Sequence, residues 1–220
     1  MRALILLISG LVIAACGGGG VGGDASPTDP NQTFTLSVLQ TMTMGTVYAS
    51  NFRGSDSNGV NYAGSYSIVN RTKTMLNGVL TTPQDEILSV TGGGMAIPLI
   101  RTTYVDTSGN LIYIENQTKG QTCSSISPDK LPGSVRIGDS GTLSILTCSH
   151  NITQERSWRV EDAGNGNILV VTNSTTKDQL SMDLEVTDIT YTINGNGSIV
   201  TLKIVTTDIT KDYTLTLQSA

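Results

Sequence analysis

The sequence predicts an all-β fold, an antiparallel meander arranged as a sandwich or a partly open barrel. Three observations predict it. Apolar and polar residues alternate with period two, most clearly in Ile199-Val200-Thr201-Leu202-Lys203-Ile204-Val205-Thr206 and Tyr213-Thr214-Leu215-Thr216-Leu217-Gln218. Such alternation puts one side of a strand in a core and the other in water. Turn signals recur at hairpin spacing. No window of about 11 residues or more carries the 3.6-residue period of an amphipathic helix.

Taken in chain order, strands are expected near 34–41, 44–53, 60–69, 72–80, 98–105, 111–118, 135–146, 152–161, 168–173, 181–193, 198–207 and 212–218. Abundant threonine supports them, because β-branched side chains favour pleated backbone. Asp56-Ser57-Asn58-Gly59, Leu76-Asn77-Gly78, Asp106-Thr107-Ser108-Gly109-Asn110, Asp162-Ala163-Gly164-Asn165-Gly166 and Asn194-Gly195-Asn196-Gly197 separate them, supplying the positive φ that tight hairpins need. Gly92-Gly93-Gly94 permits a bend before Ile97-Pro98-Leu99. Short helical turns are expected at Pro83-Gln84-Asp85-Glu86 and Ser127-Pro128-Asp129-Lys130, with proline at the first helical position. Short connections imply antiparallel neighbours. The irregular stretch 119–133 is the candidate division of a β domain, 33–220, into two similar halves. With two Phe and one Trp, the core must be Ile, Leu, Val, Tyr and Met. Trp158 is expected as a packing anchor, and Tyr48, Tyr62, Tyr66, Tyr104, Tyr113, Tyr191 and Tyr213 at sheet edges.

The N-terminus follows different rules. Arg2 precedes a short apolar run, Ala3 to Ile13, and Ala14-Ala15 lead into Cys16. The run is too short for a membrane-spanning helix and fits a secretory signal peptide over 1–15. The ordered charge, apolar run, small pair and cysteine resemble the lipobox of bacterial lipoproteins, which implies lipidation of Cys16 after cleavage. Gly17, rather than Asp, follows that cysteine, and the resemblance then implies the outer membrane. Several acyl chains on one cysteine make a stable anchor. The Gly-rich and Pro-containing stretch to residue 32 reads as a flexible tether, since nothing in it offsets the entropy of ordering glycine. Within the mature chain, Leu131-Pro132-Gly133-Ser134-Val135-Arg136-Ile137-Gly138-Asp139-Ser140-Gly141, Trp158-Arg159-Val160-Glu161, Tyr191-Thr192-Ile193-Asn194 and Gly59-Val60-Asn61-Tyr62-Ala63-Gly64-Ser65-Tyr66-Ser67-Ile68 resemble the body of bacterial lipoproteins of uncharacterised function. That resemblance implies no activity and no residue roles.

Cysteine use agrees with export. With Cys16 taken by the anchor, Cys123 and Cys148 are left to pair in an oxidising compartment. Their spacing is not that of a redox pair, and His150, the only histidine, is too little to complete a zinc site with them. Loss of Arg2 with the leader leaves 12 basic and 18 acidic residues. The basic residues are scattered, without the stripe or aromatic platform that nucleic acid binding requires.

Catalytic sets are sparse. A lone histidine at a hairpin end builds no Ser-His-Asp or Cys-His relay, and no G-x-S-x-G elbow or phosphate loop occurs. Glu115, Glu155, Glu161 and Glu185 lie in or beside strands, but nothing in the sequence sets two of them across a cleft as glycoside hydrolysis requires. Asp183, Glu185 and Asp188 form an acidic segment that reads as a solvated edge more readily than as a calcium site. No metal or cofactor is expected. The leading expectation is therefore a lipid-anchored envelope or cell-surface protein with a structural, assembly or partner-binding role. Its partners would be the membrane, through Cys16, and an envelope or surface protein or a second copy of the chain. A carrier of a small apolar or sugar ligand is the alternative, and a glycan-acting enzyme stands third. Cys16→Ala is expected to abolish lipidation and release the protein from membranes. Equal incorporation of labelled fatty acid by the variant would show that Cys16 is not the anchor.

Overall fold

Residues 26–40, 42–127 and 130–220 are described by a computed structural model. The leader, Cys16 and the glycine run lie outside these residues. The elements are β1 (Phe34–Thr35), α1 (Ser37–Gln40), β2 (Gly45–Asp56), β3 (Asn61–Asn70), β4 (Thr74–Leu76), β5 (Val79–Gly92), β6 (Met95–Asp106), β7 (Leu111–Asn116), β8 (Gln121–Ser125), β9 (Ser134–Val135), β10 (Ser140–Cys148), β11 (Ile152–Gly164), β12 (Asn167–Lys177), β13 (Asp183–Ile193), β14 (Ile199–Asp208) and β15 (Tyr213–Ser219). All pairings are antiparallel.

Of the architectures the alternation allowed, the chain adopts a barrel, and the barrel is closed. Twelve strands run in the order β3-β2-β15-β14-β13-β12-β11-β10-β8-β7-β6-β5, and β5 pairs back onto β3 from Ala63↔Thr91 to Asn70↔Gln84. The C-terminal strand joins the first long one, Leu215↔Asp56 through Ser219↔Phe52. Closure sharply curves the wall near this seam. A Cβ at Gly54 would lie 1.8 Å from the Thr216 carbonyl oxygen, and one at Gly64 1.9 Å from that of Ser89. Glycine at these two positions admits the neighbouring backbone.

Inside and outside follow the pleat. Phe52, Tyr62, Tyr66, Leu88, Val90, Val160, Ile168, Val170, Leu202 and Leu217 are buried within the barrel. Facing outward are Arg53, Ser65, Asp85, Glu155, Asp188 and Lys203, charged or polar residues from six strands.

One end is plugged by the chain itself. Phe34 and Thr35 of β1 pair with Val135 and Ser134 of β9, and Phe34, Leu36 and Val135 join the buried core. Gln40 of α1 donates to the Leu131 and Pro132 carbonyls. Packing begins earlier than the expected start of the domain at 33. Thr28 is buried, its hydroxyl donates to the Asn167 carbonyl and its amide to Asp162. The Ser26 amide donates to the side chain of Asn165.

Several expectations need correction. The strand near 34–41 is two residues of strand followed by the four-residue helix, because Phe34 and Leu36 turn into the barrel end instead of continuing along a sheet. The helical turn at 83–86 is part of β5, a 14-residue strand. Pro83 fits there because its carbonyl accepts from Arg71 beyond β3's pairing with β5, where no proline N–H is needed. Residues 121–125, read as irregular, are a strand of the wall. Tyr62, Tyr66 and Tyr191 lie in the interior, not at edges, since closure leaves few edges to occupy.

The disulfide between Cys123 and Cys148 forms as expected. The two cysteines are direct cross-strand partners on β8 and β10, buried with Ile114 and Leu146. The bond closes a 25-residue separation, worth about 3 kcal/mol by loop entropy. Changing both to Ser is expected to keep the far-ultraviolet β spectrum and lower Tm by roughly 6–12 °C. An unchanged Tm, or full alkylation of both thiols in protein mapped without reductant, would refute this.

Candidate functional site

The barrel is only partly filled. Its lumen contains a cavity of about 890 Å³ that runs from beneath the plug, at Leu39 and Leu131, to solvent-exposed Met95, Lys119 and Lys211 at the opposite end. That volume lies in the range of small-molecule sites. A shallower depression of about 660 Å³, lined by Met44, Arg71 and Tyr104, lies elsewhere.

Strand register arranges the lumen wall in layers. On β11 to β14 the layer nearest the mouth is Gln154, Thr176, Glu185 and Asp208. The next is Arg156, Ser174, Thr187 and Thr206, followed by Trp158, Thr172, Ile189 and Ile204. The deepest of these is Val160, Val170, Tyr191 and Leu202. Polarity thus falls from charge, through hydroxyl and guanidinium, to hydrocarbon within four alternating positions of each strand. The facing wall is built differently. Near the mouth β5 and β6 present the apolar pairs Val90↔Ile97 and Leu88↔Leu99, and below them the polar layer Glu86, Arg101, Asn116 and Gln121.

Charges inside this space are paired. Arg101 Nε donates to Glu86 Oε2 at 2.5 Å, and the Tyr66 hydroxyl donates to Glu86 Oε1 at 3.2 Å. Burial works against the Arg101 charge, but the Glu86 carboxylate more than reverses this and raises its pKa. Burial, then the same carboxylate, pushes the Tyr66 hydroxyl well above its ordinary range, and Tyr191 rises chiefly by burial. Arg156 donates to the Ser144 carbonyl at 3.0 Å, and the Thr187 and Thr206 hydroxyls share a hydrogen bond of 3.1 Å. The Ser174 Oγ, in the same layer, is buried with no hydrogen-bond partner among the described residues. A buried hydroxyl without a partner is costly unless a water or ligand meets it.

At the mouth, Lys119 Nζ meets both carboxylate oxygens of Glu185, at 2.8 and 2.7 Å. Lys119 sits on the β7–β8 turn and Glu185 on β13, so the contact reaches past β10, β11 and β12. Lys211 and the Thr210 hydroxyl hold Asp208 down to about 2. Asp56, at the β2–β3 turn, accepts from the Val60 and Asn58 amides and the Tyr62 hydroxyl. Burial raises its pKa, and these donors more than offset the rise to leave it depressed.

The sequence-predicted candidates disperse. Glu115 accepts from Tyr104, Glu155 pairs with Lys177, and Glu161 pairs with Arg159. Only Glu185 enters the lumen. Asp183 lies 3.8 Å from Lys177 and Asp188 accepts from Asn173, so the acidic segment is divided between the two faces of the wall. No group of three or more His, Cys, Asp or Glu capable of holding a metal occurs among the described residues. His150 adopts positive φ in the β10–β11 connection, with no shared site. Sequence reading missed Glu86, Arg101, Arg156, Ser174 and Lys119. Apart from Lys119, which lies on a turn, they share a signal, polar residues at inward positions of alternating strands, that was present but needed the register to be seen. No protein-family model, curated protein or solved structure matches the chain.

Asp56, Asp106, Asp162 and Asp208 all have depressed pKa values in the folded protein. Their contribution to stability is complete above the unfolded value near 4 and is lost as pH falls through the folded values. The urea midpoint is expected to hold from neutrality to about pH 4.5 and to decline toward about pH 2. A midpoint that rises on acidification would contradict these assignments.

Proposed function

We propose that this protein is an envelope-anchored β-barrel that binds a small molecule in its lumen. The observation that carries the reading is the cavity of about 890 Å³, with its apolar depth and polar mouth. A barrel built only as a structural element has every reason to fill its interior, because each void forfeits packing. The closed fold is consistent with an envelope role, and the lipobox-like residues before Cys16 support attachment through that cysteine. Plug residues from Ser26 onward join the barrel end, so an anchored chain would hold the plugged end toward the lipid and the cavity mouth away from it.

A partner-binding role has its own support. The β4–β5 hairpin carries exposed Met75, Val79 and Leu80, and Ile87 and Ile100 sit exposed as a cross-strand pair on the wall nearby. The exposed apolar residues of the hairpin, and separately the Ile87–Ile100 pair, suit a protein contact. Catalysis has less to build on, since each candidate carboxylate is engaged by its own cation or hydroxyl.

Protein released gently from envelopes and examined by native mass spectrometry is expected to carry a small-molecule adduct that is lost on denaturation. Leu99→Trp, which projects bulk into the lumen, should lose the adduct while retaining the β spectrum. An adduct-free wild-type protein that also binds nothing from an envelope extract would overturn the ligand-binding reading.

A further inference from the structure

The wall of the barrel has a notch. β6 pairs with β5 along its whole length, but with β7 only from Arg101 to Val105. Ile100 makes the last contact on that side, accepting from the Gln117 amide and donating to the Thr118 hydroxyl. Met95-Ala96-Ile97-Pro98-Leu99 therefore present a strand edge with no paired strand among the described residues, because β7 and β8 span only six and five residues before turning. This edge is apolar throughout. Pro98 lacks an N–H and guards it against pairing with another strand. The cavity is lined by Ile97 and Leu99, which point inward, and also by Pro98, which points outward. The free edge thus forms part of the cavity wall beside the mouth. Thr118 and Lys119 line its far side, and from there the Lys119–Glu185 contact runs over the mouth, past β10, β11 and β12, to β13.

We infer that the lumen is a site for a single-chain amphiphile, which enters at the notched side of the mouth with Lys119–Glu185 as a latch over that mouth. The inference rests on the ligand-binding reading above and adds the ligand class and the route. Two walls of unlike chemistry select such a molecule. Leu88, Ile97, Leu99 and Ile189 offer hydrocarbon to an aliphatic chain. Across from the β5–β6 pairs, Arg156, Ser174, Thr187 and Thr206 form a row of donors and acceptors for an oxygen-rich headgroup, and the Ser174 hydroxyl gains there the partner that the protein does not supply. A sugar would leave the aliphatic wall uncovered; a pure hydrocarbon would strip water from the hydroxyl row without replacing its hydrogen bonds. The free edge supplies an apolar lip along which a chain can slide while its headgroup stays in water. The latch suits a gate because both of its side chains remain partly exposed, at 48% and 26%, so that water competes with the contact and it opens readily.

The test uses the full mature chain bearing Cys16→Ala, so that its own acyl chains do not compete. The probe is an environment-sensitive fluorescent fatty acid, with monooleoylglycerol and maltose as competitors. The expected result is saturable probe binding, displaced by monooleoylglycerol and untouched by maltose, and weakened tenfold or more by Leu99→Trp. Ile189→Trp, from the opposite wall, serves if the first variant fails to fold. Lys119→Met and Glu185→Gln should each raise association and dissociation rates together, about two- to fivefold, with Kd little changed. A merely structural contact would lower Tm and leave the two rates uncoupled. Binding that survives both lumen-filling variants places the probe outside the barrel and overturns the inference. Displacement by maltose alone overturns the ligand class while leaving the ligand-binding reading intact. Failure of every probe, with no adduct on protein from envelopes, removes both. Unchanged rates in the latch variants overturn the route.

Discussion

Closure of the sheet is the constraint on which everything else in this molecule depends. An open sheet of this size would leave two edges of unpaired backbone groups and one face in need of cover. Pairing β15 to β2 and β5 to β3 removes most of the edge and turns one face into an interior. The closure makes demands on particular residues. Gly54 and Gly64 must lack a Cβ so that adjacent strands approach where the wall bends, and Phe52, beside Gly64 in register, packs its ring 5.3 Å from that of Tyr66 to occupy the space they leave. The end of the cylinder must then be stopped, and the chain does so with its own N-terminal residues, Phe34 and Leu36.

Once closed, the barrel is too wide for strand side chains alone to fill it along its whole length. The plugged half reaches native packing because plug and wall together supply hydrocarbon. The other half does not, and there the inward positions of β11 to β14 change to Thr, Ser, Gln and charged residues. This substitution is physically coherent. An unfilled apolar space forfeits dispersion contacts, whereas a polar space holds water or a ligand at lower cost. The layered decline in polarity along β11 to β14 therefore describes how deeply solvent is meant to reach.

The charges in the lumen separate into two kinds. Glu86 and Arg101 lie deep, share Tyr66 and hold their geometry through several hydrogen bonds, so removal of either would strand the other. Lys119–Glu185 and Lys211–Asp208 lie at the mouth, where water screens them and long side chains keep their freedom. The first kind shapes the interior and the second is free to rearrange. A short β7–β8 hairpin places Lys119 beside the stretch of β6 that has no paired strand on that side among the described residues, so the gap in the wall and one end of a water-screened ion pair lie together.

Much of the architecture was legible from local pattern. Alternation at Ile199–Asp208 and Tyr213–Ser219, the Asn-Gly turns, and the partnership of Cys123 with Cys148 all depend on backbone period, turn stereochemistry and compartment, which a linear chain displays. Where local pattern was weak, as in the polar Gln121–Ser125 or the proline-bearing start of β5, pairing with neighbours on both sides imposed strand structure that propensity did not announce. The site was scarcely legible at all. Arg156, Ser174, Thr187 and Thr206 come from four strands, and each alone reads as an ordinary polar residue. By itself the sequence determined that this chain would be strands with two unlike faces, joined by tight turns. Only the tertiary structure decided that the sheet closes, which polar residues face inward and that a cavity remains. Those outcomes depend on register and strand number summed around the whole barrel, and no local stretch of sequence contains that sum.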